Sequence, residues 1–334
     1  MLSRNEPIGL LTIPVLDVGG AYPLETLTRE EGRAHALLDN ATRHVPRTAL
    51  KSLDEISRRW LLKGDPAHLS EVEAIARRLQ RPGAYFLSVN YEWGCTCRVT
   101  PAPGARSARL VRVLDWRTPG LGRYLIAARV QGPAGRFVTL TWPGYTGILQ
   151  GVAPGRFSAA LNQAPMRKSV GWMPADWAVN RARIWRTPHT TTPAHLLRHV
   201  FEHAHSFAEA KSMLTHHPIA APAIYSLAGT KPSELAVIER QEVAAHVHEG
   251  PNIAANHWQA PGWHGRPRGN DSAGRACRMA RMSPEFDPSF AWLGPPILNE
   301  RTRLVMIADA AEGRVMAQGW EATGRATTVL DLAA

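Results

Sequence analysis

The chain has 334 residues, 44% of them hydrophobic, and can therefore bury a sizeable core without disulfides or metals. Three cysteines do not make a disulfide framework, and they favour a reducing, cytoplasmic environment. The net charge of +11 invites a nucleic-acid role, but the basic residues are scattered, and RNP-like, zinc-finger and basic-helix patterns are absent. We therefore expect no nucleic-acid partner. The charge fits an acidic substrate or peripheral contact with an anionic membrane surface.

The amino-terminal region contains a short apolar stretch at residues 8–16, interrupted by Pro14 and without a small-residue cleavage site. We expect an opening strand or extended segment here rather than a secretion signal. Later segments fall short of the ~18 apolar residues that a membrane helix needs.

Residues 1–94 are predicted to be mainly helical. Three capping-box pairs stand ahead of apolar-periodic runs: Thr28 and Glu31, Ser52 and Glu55, Ser70 and Glu73. An apolar and aromatic stretch at residues 84–93 then leads directly into Gly94 and Cys95.

From Cys95 onward the pattern changes to short β-like runs separated by Pro/Gly turns. These predicted strands are residues 95–100, 108–115, 123–130, 137–142 and 156–161. Helices are predicted at 193–205 and 206–216, the second opened by a capping box of Ser206 and Glu209. Strands resume at 224–227, 234–239, 243–248, 303–308 and 314–320. This order predicts an α+β layered domain rather than βαβ units.

Cys95 is the strongest candidate for chemistry. It follows a glycine at the start of a predicted strand, and Arg112 and Asp115 lie on the next one. A hairpin would fold both back towards Cys95, where a cation lowers a thiol pKa and a carboxylate can orient an amine. With no other base obvious, the α-amine of Cys95, freed by cleavage, would titrate near about 7.7–8.0 and could transfer protons. The alternative is an inert, buried cysteine beside a strand-end ion pair.

Several ordered motifs carry a family resemblance. CTCRV and RVLDW, around Cys95 and Asp115, resemble the nucleophile signature of the choloylglycine-hydrolase-like group of Ntn hydrolases, and within it acid ceramidase and N-acylethanolamine-hydrolysing acid amidase. The resemblance continues through GYTGILQGVAPGRFSAALNQ, SFAEAKSMLTHHPIAAPAIYSLAG, ANHW, NDSAGRACRM and PILNERTRLVMIADAAEGRV. It covers residues from about 84 to 320.

This resemblance implies a four-layer αββα Ntn-hydrolase sandwich with an N-terminal helical segment. It also implies self-cleavage between Gly94 and Cys95, which would give an α chain, residues 1–94, and a catalytic core, residues 95–334. The cleaved N-terminal fragment is expected to remain bound as a partner. In the family pattern Cys95 is the nucleophile, its freed amine is the base, Arg112 favours the thiolate and Asp115 holds the amine.

Three further site residues follow from the same resemblance. Asn256 would donate to the oxyanion of the tetrahedral intermediate. Asn162 is a second oxyanion candidate, through its side chain or its backbone, and Arg275 matches an arginine that supports the site. Two residues depart from the family pattern. Gln163 stands where acid ceramidases have Glu, and Cys97 replaces the usual Ser two residues after the nucleophile.

A histidine stripe raises the question of a metal. His195, His199 and His203 recur every four residues on a predicted helix, as metal ligands can. The apolar residues between them already explain the spacing, which leaves the histidines on a solvated face. We expect neither a metal nor a cofactor.

The sequence therefore predicts a self-processing N-terminal-cysteine amide hydrolase. Its substrate would be a lipophilic N-acyl amide, such as a ceramide or an N-acylethanolamine, cleaved through a Cys95 thioester. Two alternatives stay open: an acyltransferase on the same site, and a catalytically inactive basic lipid-binding protein.

Overall fold

The computed structural model describes residues 9–64, 66–89, 93–186 and 191–334. The helices in these residues are α1 (Leu24–Arg29), α2 (Glu31–Thr42), α3 (Arg47–Gly64), α4 (Pro66–Leu79), α5 (Ala84–Val89), α6 (Met173–Arg186), α7 (Pro193–His203), α8 (Phe207–His216) and α9 (Ser272–Ala280). In the same part of the chain, no helix is both long and apolar enough to span a bilayer.

The strands form two sheets. They are β1 (Val15–Gly19), β2 (Trp93–Pro101), β3 (Ala108–Trp116), β4 (Ile126–Gly132), β5 (Gly135–Thr141), β6 (Gln150–Ala153), β7 (Phe157–Gln163), β8 (Ala223–Ala228), β9 (Leu235–Arg240), β10 (Ala245–Glu249), β11 (Asn252–Ala254), β12 (Thr302–Asp309), β13 (Arg314–Glu321), β14 (Gly324–Arg325) and β15 (Leu330–Ala333). One sheet has the order β1-β4-β5-β6-β7-β8-β9-β10. The other has the order β11-β2-β3-β12-β13-β14, and β15 pairs with β13.

The two sheets pack face to face, with β2 and β3 of one against β7 and β8 of the other. Helices α7 and α8 cover the outer face of the first sheet, and α9 covers the second. These are the four αββα layers, and the predicted fold is confirmed.

Alternation along the strands decides which side chains face the inner layer. Cys95 and Leu114 belong to the cluster between the sheets, together with Leu161 of the opposite sheet. Val111 and Val113 point the other way, into a second cluster under the segment that follows α9. Because strand side chains alternate with a period of two, β2 and β3 have one face towards each cluster.

The amino-terminal segment is mainly helical, as predicted, but it also contributes a strand. Val15–Gly19 pairs in parallel with β4, so the first sheet includes part of residues 1–94. Strand β2 begins at Trp93, which places the predicted 94/95 boundary inside a strand. Cleavage there would leave the fragment joined to the sheet through β1.

Three of the four capping boxes are wrong. Thr28 and Ser52 lie inside helices and donate their hydroxyls to the carbonyls four residues earlier, at 3.2 and 3.3 Å. Ser70 lies within α4. A mid-helix serine or threonine satisfies its hydroxyl in this way, so the short pattern alone does not mark a helix start. Ser206 does cap α8, accepting the amide of Glu209 at 3.2 Å.

A buried ion pair joins the helical segment to the core. Arg198 of α7 donates to both carboxylate oxygens of Glu71 of α4, at 2.5 and 2.9 Å, and to Glu202 at 2.8 Å. Its guanidinium lies 5.1 Å from the ring centroid of Tyr22, a cation–π contact. The side chain of Arg198 is only 9% exposed, so water screens this contact weakly.

Replacing Glu71 with Gln should lower the free energy of unfolding by about 1–3 kcal/mol, because a largely buried guanidinium loses its partner while some solvent remains at the carboxylate. Urea unfolding would measure the change. Glu25→Gln, in the exposed pair with Arg29, is the matched control and should cost less than about 0.5 kcal/mol. Equal losses in the two variants would contradict a special role for the Glu71 pair.

Candidate active site

The predicted hairpin is present and brings Arg112 to Cys95. Strands β2 and β3 pair antiparallel, with Cys97 opposite Arg112 and Gly94 opposite Asp115. Arg112 is fully buried and donates from Nη2 to the Cys95 Sγ at 3.1 Å. Its Nη1 donates to the Leu161 carbonyl at 2.8 Å, so the guanidinium bridges the thiol and the facing sheet.

Burial dominates the acidity of the thiol in the uncleaved chain. It raises the pKa of Cys95 to about 12, while Arg112 acts in the opposite direction without offsetting the burial. The expectation that the arginine would favour the thiolate thus describes one of two opposing effects. Near neutral pH the thiol in the uncleaved chain is therefore protonated.

The backbone of Cys95 is held on its other side by Asn256 and Arg275. The Cys95 amide donates to the Asn256 Oδ1 at 2.7 Å, and Arg275 Nη1 donates to the Cys95 carbonyl at 2.6 Å. Arg275 Nη2 also donates to the Asn256 Oδ1 at 3.0 Å. Both peptide groups of Cys95 are therefore fixed by a buried arginine and the amide oxygen that it orients.

In the uncleaved chain the nitrogen of Cys95 is bonded to Asn256 and not to Asp115, and the role of Asp115 towards a freed amine stays a prediction. The reason is strand geometry. Arg112 and Asp115 are three residues apart on β3, so their side chains point to opposite faces of the sheet. Arg112 reaches the thiol from the inner face, and Asp115 lies on the outer face near Arg275, with 3.7 Å between the charged atoms.

Two residues that the site prediction missed hold Asp115. The side-chain amide of Asn299 donates to Oδ2, and the hydroxyl of Thr302 donates to Oδ1, both at 3.0 Å. Burial raises the pKa of Asp115, and Arg275, Asn299 and Thr302 counteract it. The signal for both was the PILNERT segment, which the motif comparison included without assigning it a role.

The side chain of Asn162 contacts Cys97 rather than Cys95. Its side-chain amide donates to the carbonyls of Ala254 and Ala255, at 3.1 and 3.2 Å. Its oxygen accepts from the Cys97 thiol at 3.0 Å and from Arg112 at 3.4 Å. In the uncleaved chain both amide protons of this side chain are in use, and its oxygen helps to hold Arg112.

The amide group of Asn256 points its oxygen, not its nitrogen, at Cys95. Its Nδ2 donates to the Gln163 carbonyl at 2.7 Å, which leaves one amide proton for an oxyanion. The side-chain oxygen of Gln163 accepts the Trp93 amide at 3.0 Å, so this departure from the family pattern anchors the residue two before Cys95. The oxyanion roles of Asn256 and Asn162 stay predictions.

Two glycines make close approach possible at the predicted cleavage point. A Cβ added to Gly94 would lie 3.3 Å from the Gly269 Cα and 3.4 Å from the Asp115 Cβ. Gly269 has φ +70°, and a Cβ there would lie 2.9 Å from the Arg275 guanidinium. Side chains at either position would therefore displace the backbone that presents the Gly94 carbonyl.

Replacing Gly94 with Ala should slow self-cleavage by about 10- to 100-fold, because small displacements of reacting atoms have effects of that size. Quantifying full-length chain against time on a denaturing gel would measure the rate. Gly32→Ala is the control, since nothing lies within 4 Å of its added Cβ. An unchanged rate in Gly94→Ala would show that this contact is not important for processing.

A cleft of about 570 Å³ has Trp93, Gly94 and Asp115 in its wall, while Cys95, the residue after Gly94 on β2, is itself fully buried. An apolar pocket lined by Leu38, Trp142 and other apolar residues lies next to it, and Trp116 contributes to both walls. Residues 90–92, part of the predicted apolar and aromatic stretch that leads into Gly94, lie outside the described residues.

The histidine stripe was interpreted wrongly at its first position. His195 is buried, stacks on His68 at 3.7 Å between ring centroids, and hydrogen-bonds through Nε2 to the Thr146 hydroxyl at 2.9 Å. Burial lowers its pKa well below the usual value, so it is a neutral core residue. His203 is exposed, as predicted. Within the described ranges, no group of three or more His, Cys, Asp or Glu side chains could hold a metal.

Part of this chain is similar in sequence to known proteins. A family model described as acyl-coenzyme A:6-aminopenicillanic acid acyl-transferase matches residues 184–291, a range that contains Asn256 and Arg275. Acid ceramidase of Balaenoptera acutorostrata scammoni is 34% identical over 109 residues, covering 32% of this chain and 26% of that protein. Acid ceramidase of Bos taurus is 34% identical over 108 residues, covering 31% and 25%.

The predicted family resemblance is confirmed. The matches to acid ceramidase extend over about a quarter of the length of those curated relatives. Among solved structures, a Caenorhabditis elegans N-acylethanolamine-hydrolyzing acid amidase orthologue is 19% identical, covers 71% of this chain and 99% of its own, and has a TM-score of 0.46. A mutant form of the conjugated bile acid hydrolase of Clostridium perfringens is 8% identical, covers 71% and 92%, and has a TM-score of 0.39.

Proposed function

We propose that the chain is a self-processing N-terminal-cysteine amide hydrolase that acts on a lipophilic N-acyl amide. One observation carries this proposal: Cys95, directly after Gly94 and beside a cleft, receives a 3.1 Å hydrogen bond on its sulfur from the buried Arg112. A cation committed to a thiol in this way stabilises the thiolate that nucleophilic attack requires.

Self-processing would begin with attack of the Cys95 sulfur on the Gly94 carbonyl carbon. The thiol proton passes to the departing nitrogen, the Gly94–Cys95 C–N bond breaks, and a thioester with a free α-amine results. Water then hydrolyses the thioester to give the Gly94 carboxylate and restore the thiol. Residues 1–94 and 95–334 would become two chains held together by β1 and by the Glu71–Arg198 pair.

In turnover, the freed α-amine of Cys95 would take the thiol proton while sulfur attacks the substrate carbonyl. The amine then gives this proton to the leaving amine, and a thioester remains on Cys95. Water, deprotonated by the same amine, releases the acid. The Asn256 Oδ1, which accepts the Cys95 N–H before cleavage, is positioned to hold this amine. The base function therefore needs no further side chain.

The apolar pocket behind Trp116 supports a lipophilic acyl group. Leu37, Leu38 and Ile75 line it from the amino-terminal helices, and Trp142 lines it from the core. Such walls bind acyl chains through burial of apolar surface. The name of the curated relatives, acid ceramidase, makes ceramide-like amides starting candidates, and the motif resemblance adds N-acylethanolamines.

Acyl transfer on the same thioester is the second candidate, favoured by the name of the matching family model. The two activities differ in what attacks the thioester. Incubation with an N-acyl amide and a series of competing amines, followed by mass analysis of products, separates them. We expect free acid to dominate at millimolar amine concentrations. Predominant formation of the new amide would make the protein an acyltransferase.

A further inference from the structure

The cleft next to Gly94 and Cys95 is lined by positive charge, which a neutral lipid amide would not need. Among the described residues that line it, four are arginines: Arg117, Arg266, Arg268 and Arg301. The carboxylate in the same lining is Asp115, which already pairs with the buried Arg275 on its far side. The cleft is therefore strongly electropositive where a substrate would enter.

Two of these arginines are available to a ligand. Arg117 is exposed, directly follows β3, and makes no hydrogen bond or ion pair with the described residues. The contact that Arg301 makes with Glu300 is loose, 3.6 Å between charged atoms, and the Glu300 side chain is 68% exposed. Arg266 is more constrained, since it donates to the Gly171 carbonyl at 3.1 Å.

The two ends of the site differ in chemistry and meet at Trp116. The ring of Trp116 lines both the apolar pocket and the arginine-lined cleft. An amide whose carbonyl carbon sits at Cys95 with its acyl chain in the apolar pocket would direct its amine half into the cleft. Guanidinium groups bind carboxylate and phosphate groups through paired, charge-assisted hydrogen bonds, and gain little from a neutral hydroxyl.

We propose that the amine half of the substrate carries an anionic group, a carboxylate or a phosphate, which Arg117 and Arg301 bind in the cleft beside Cys95. This inference rests on the proposed hydrolase function. It distinguishes the substrate from ceramides and simple N-acylethanolamines, whose amine halves are neutral. The carboxylate of an N-acyl amino acid and the phosphate of an N-acyl phosphoethanolamine both meet the requirement.

The test compares three substrates with one acyl chain: N-lauroylglycine, N-lauroyl phosphoethanolamine and N-lauroylethanolamine. For the purified, processed wild type we expect at least about tenfold higher kcat/KM with one of the anionic substrates than with the ethanolamide, as one charge-assisted hydrogen bond can supply. The anionic substrate with the higher kcat/KM shows whether the cleft recognises a carboxylate or a phosphate. The preference should shrink in 0.5 M salt, because partly exposed charges are screened.

Replacing both Arg117 and Arg301 with Gln should reduce the preference to below about twofold while leaving turnover of the ethanolamide near the wild-type value. Arg29→Gln is the matched control, because Arg29 belongs to an exposed ion pair and does not line the cleft. This variant should keep the preference for anionic substrates. Intact mass of the double variant checks that processing is unaffected. If the variant instead fails to process, the arginines act in cleavage at the Gly94 carbonyl and the inference is wrong.

Equal or faster turnover of the ethanolamide by the wild type would overturn the inference and leave the hydrolase function standing. If the processed protein hydrolyses none of the three substrates, the hydrolase proposal fails. Calorimetric measurement of binding of the same three amides then tests the inference separately. Tighter binding of an anionic amide that depends on Arg117 and Arg301 would support the inference although the hydrolase proposal had failed. Equal binding of anionic and neutral amides would refute it.

Discussion

A Cys95→Ala variant is expected to remain a single uncleaved chain and to lose at least about 1,000-fold of amidase activity, since the substitution removes both the nucleophile and the self-processing step. The structure accounts for this size of effect. The thiol is the group to which Arg112 donates at 3.1 Å, and the backbone of the same residue is fixed by Asn256 and Arg275.

Cys97→Ala is the matched control for this prediction. Cys97 is equally buried and two residues along the same strand, but its thiol donates to Asn162 rather than facing the Gly94 peptide bond. We expect processing and turnover within about threefold of wild type, because the substitution removes only a weak donor to Asn162 and a long, 3.9 Å acceptor for Arg112. If cleavage survives in Cys95→Ala or disappears in Cys97→Ala, the proposed assignment of Cys95 as the nucleophile is wrong.

Replacing Arg112 with Met is expected to slow processing and turnover by about 100- to 1,000-fold. Arg112 lowers the pKa of Cys95 against the effect of burial, so its removal raises the thiol pKa further and reduces the thiolate fraction at any pH below it. The variant also leaves the Leu161 carbonyl without its donor, at a cost of about 1–3 kcal/mol in folding stability.

The rate of Cys95 alkylation by iodoacetamide as a function of pH measures the effect on the thiol directly. We expect the alkylation profile of Arg112→Met to shift to higher pH than that of wild type. Arg98→Met is the control on β2: Arg98 donates to the carbonyls of Met279 and Met282, so its loss should cost stability without moving the profile. Superimposable profiles for Arg112→Met and wild type would contradict the proposed role of Arg112.

The local part of the site could be predicted from the sequence, because a short turn joins the two strands that build it. Cys95 and Arg112 are diagonal neighbours on one face of a hairpin whose register follows from its turn. The same alternation rule shows that Asp115 must lie on the opposite face, a step that the motif-based interpretation omitted.

The long-range part could not be predicted in the same way. Arg275 reaches the Cys95 carbonyl from 180 residues away along the chain. Its position depends on the start of α9, where the Asp271 side chain accepts the Gly274 amide at 2.9 Å. Such contacts depend on how whole layers pack, which a single sequence does not encode in any local pattern.

The fold shows the same division. Strands with clear alternation and Pro/Gly turns, such as β3 and β5, were predicted close to their observed bounds. Helix α6 was missed because it lies in a segment containing Pro165 and Pro174, and the latter occupies the second helical position, where proline is tolerated. Burial of His195 was missed because its partner His68 belongs to a separate helix.

The intact mass of purified wild-type protein, followed from expression onward, tests the central claim most directly. The account predicts that the full-length species is replaced by two species whose masses correspond to residues 1–94 and 95–334, and that they coelute on size exclusion. A wild type that stays full length at every pH tested would leave Cys95 without a free α-amine. That result would contradict the proposed catalytic function and favour a binding protein.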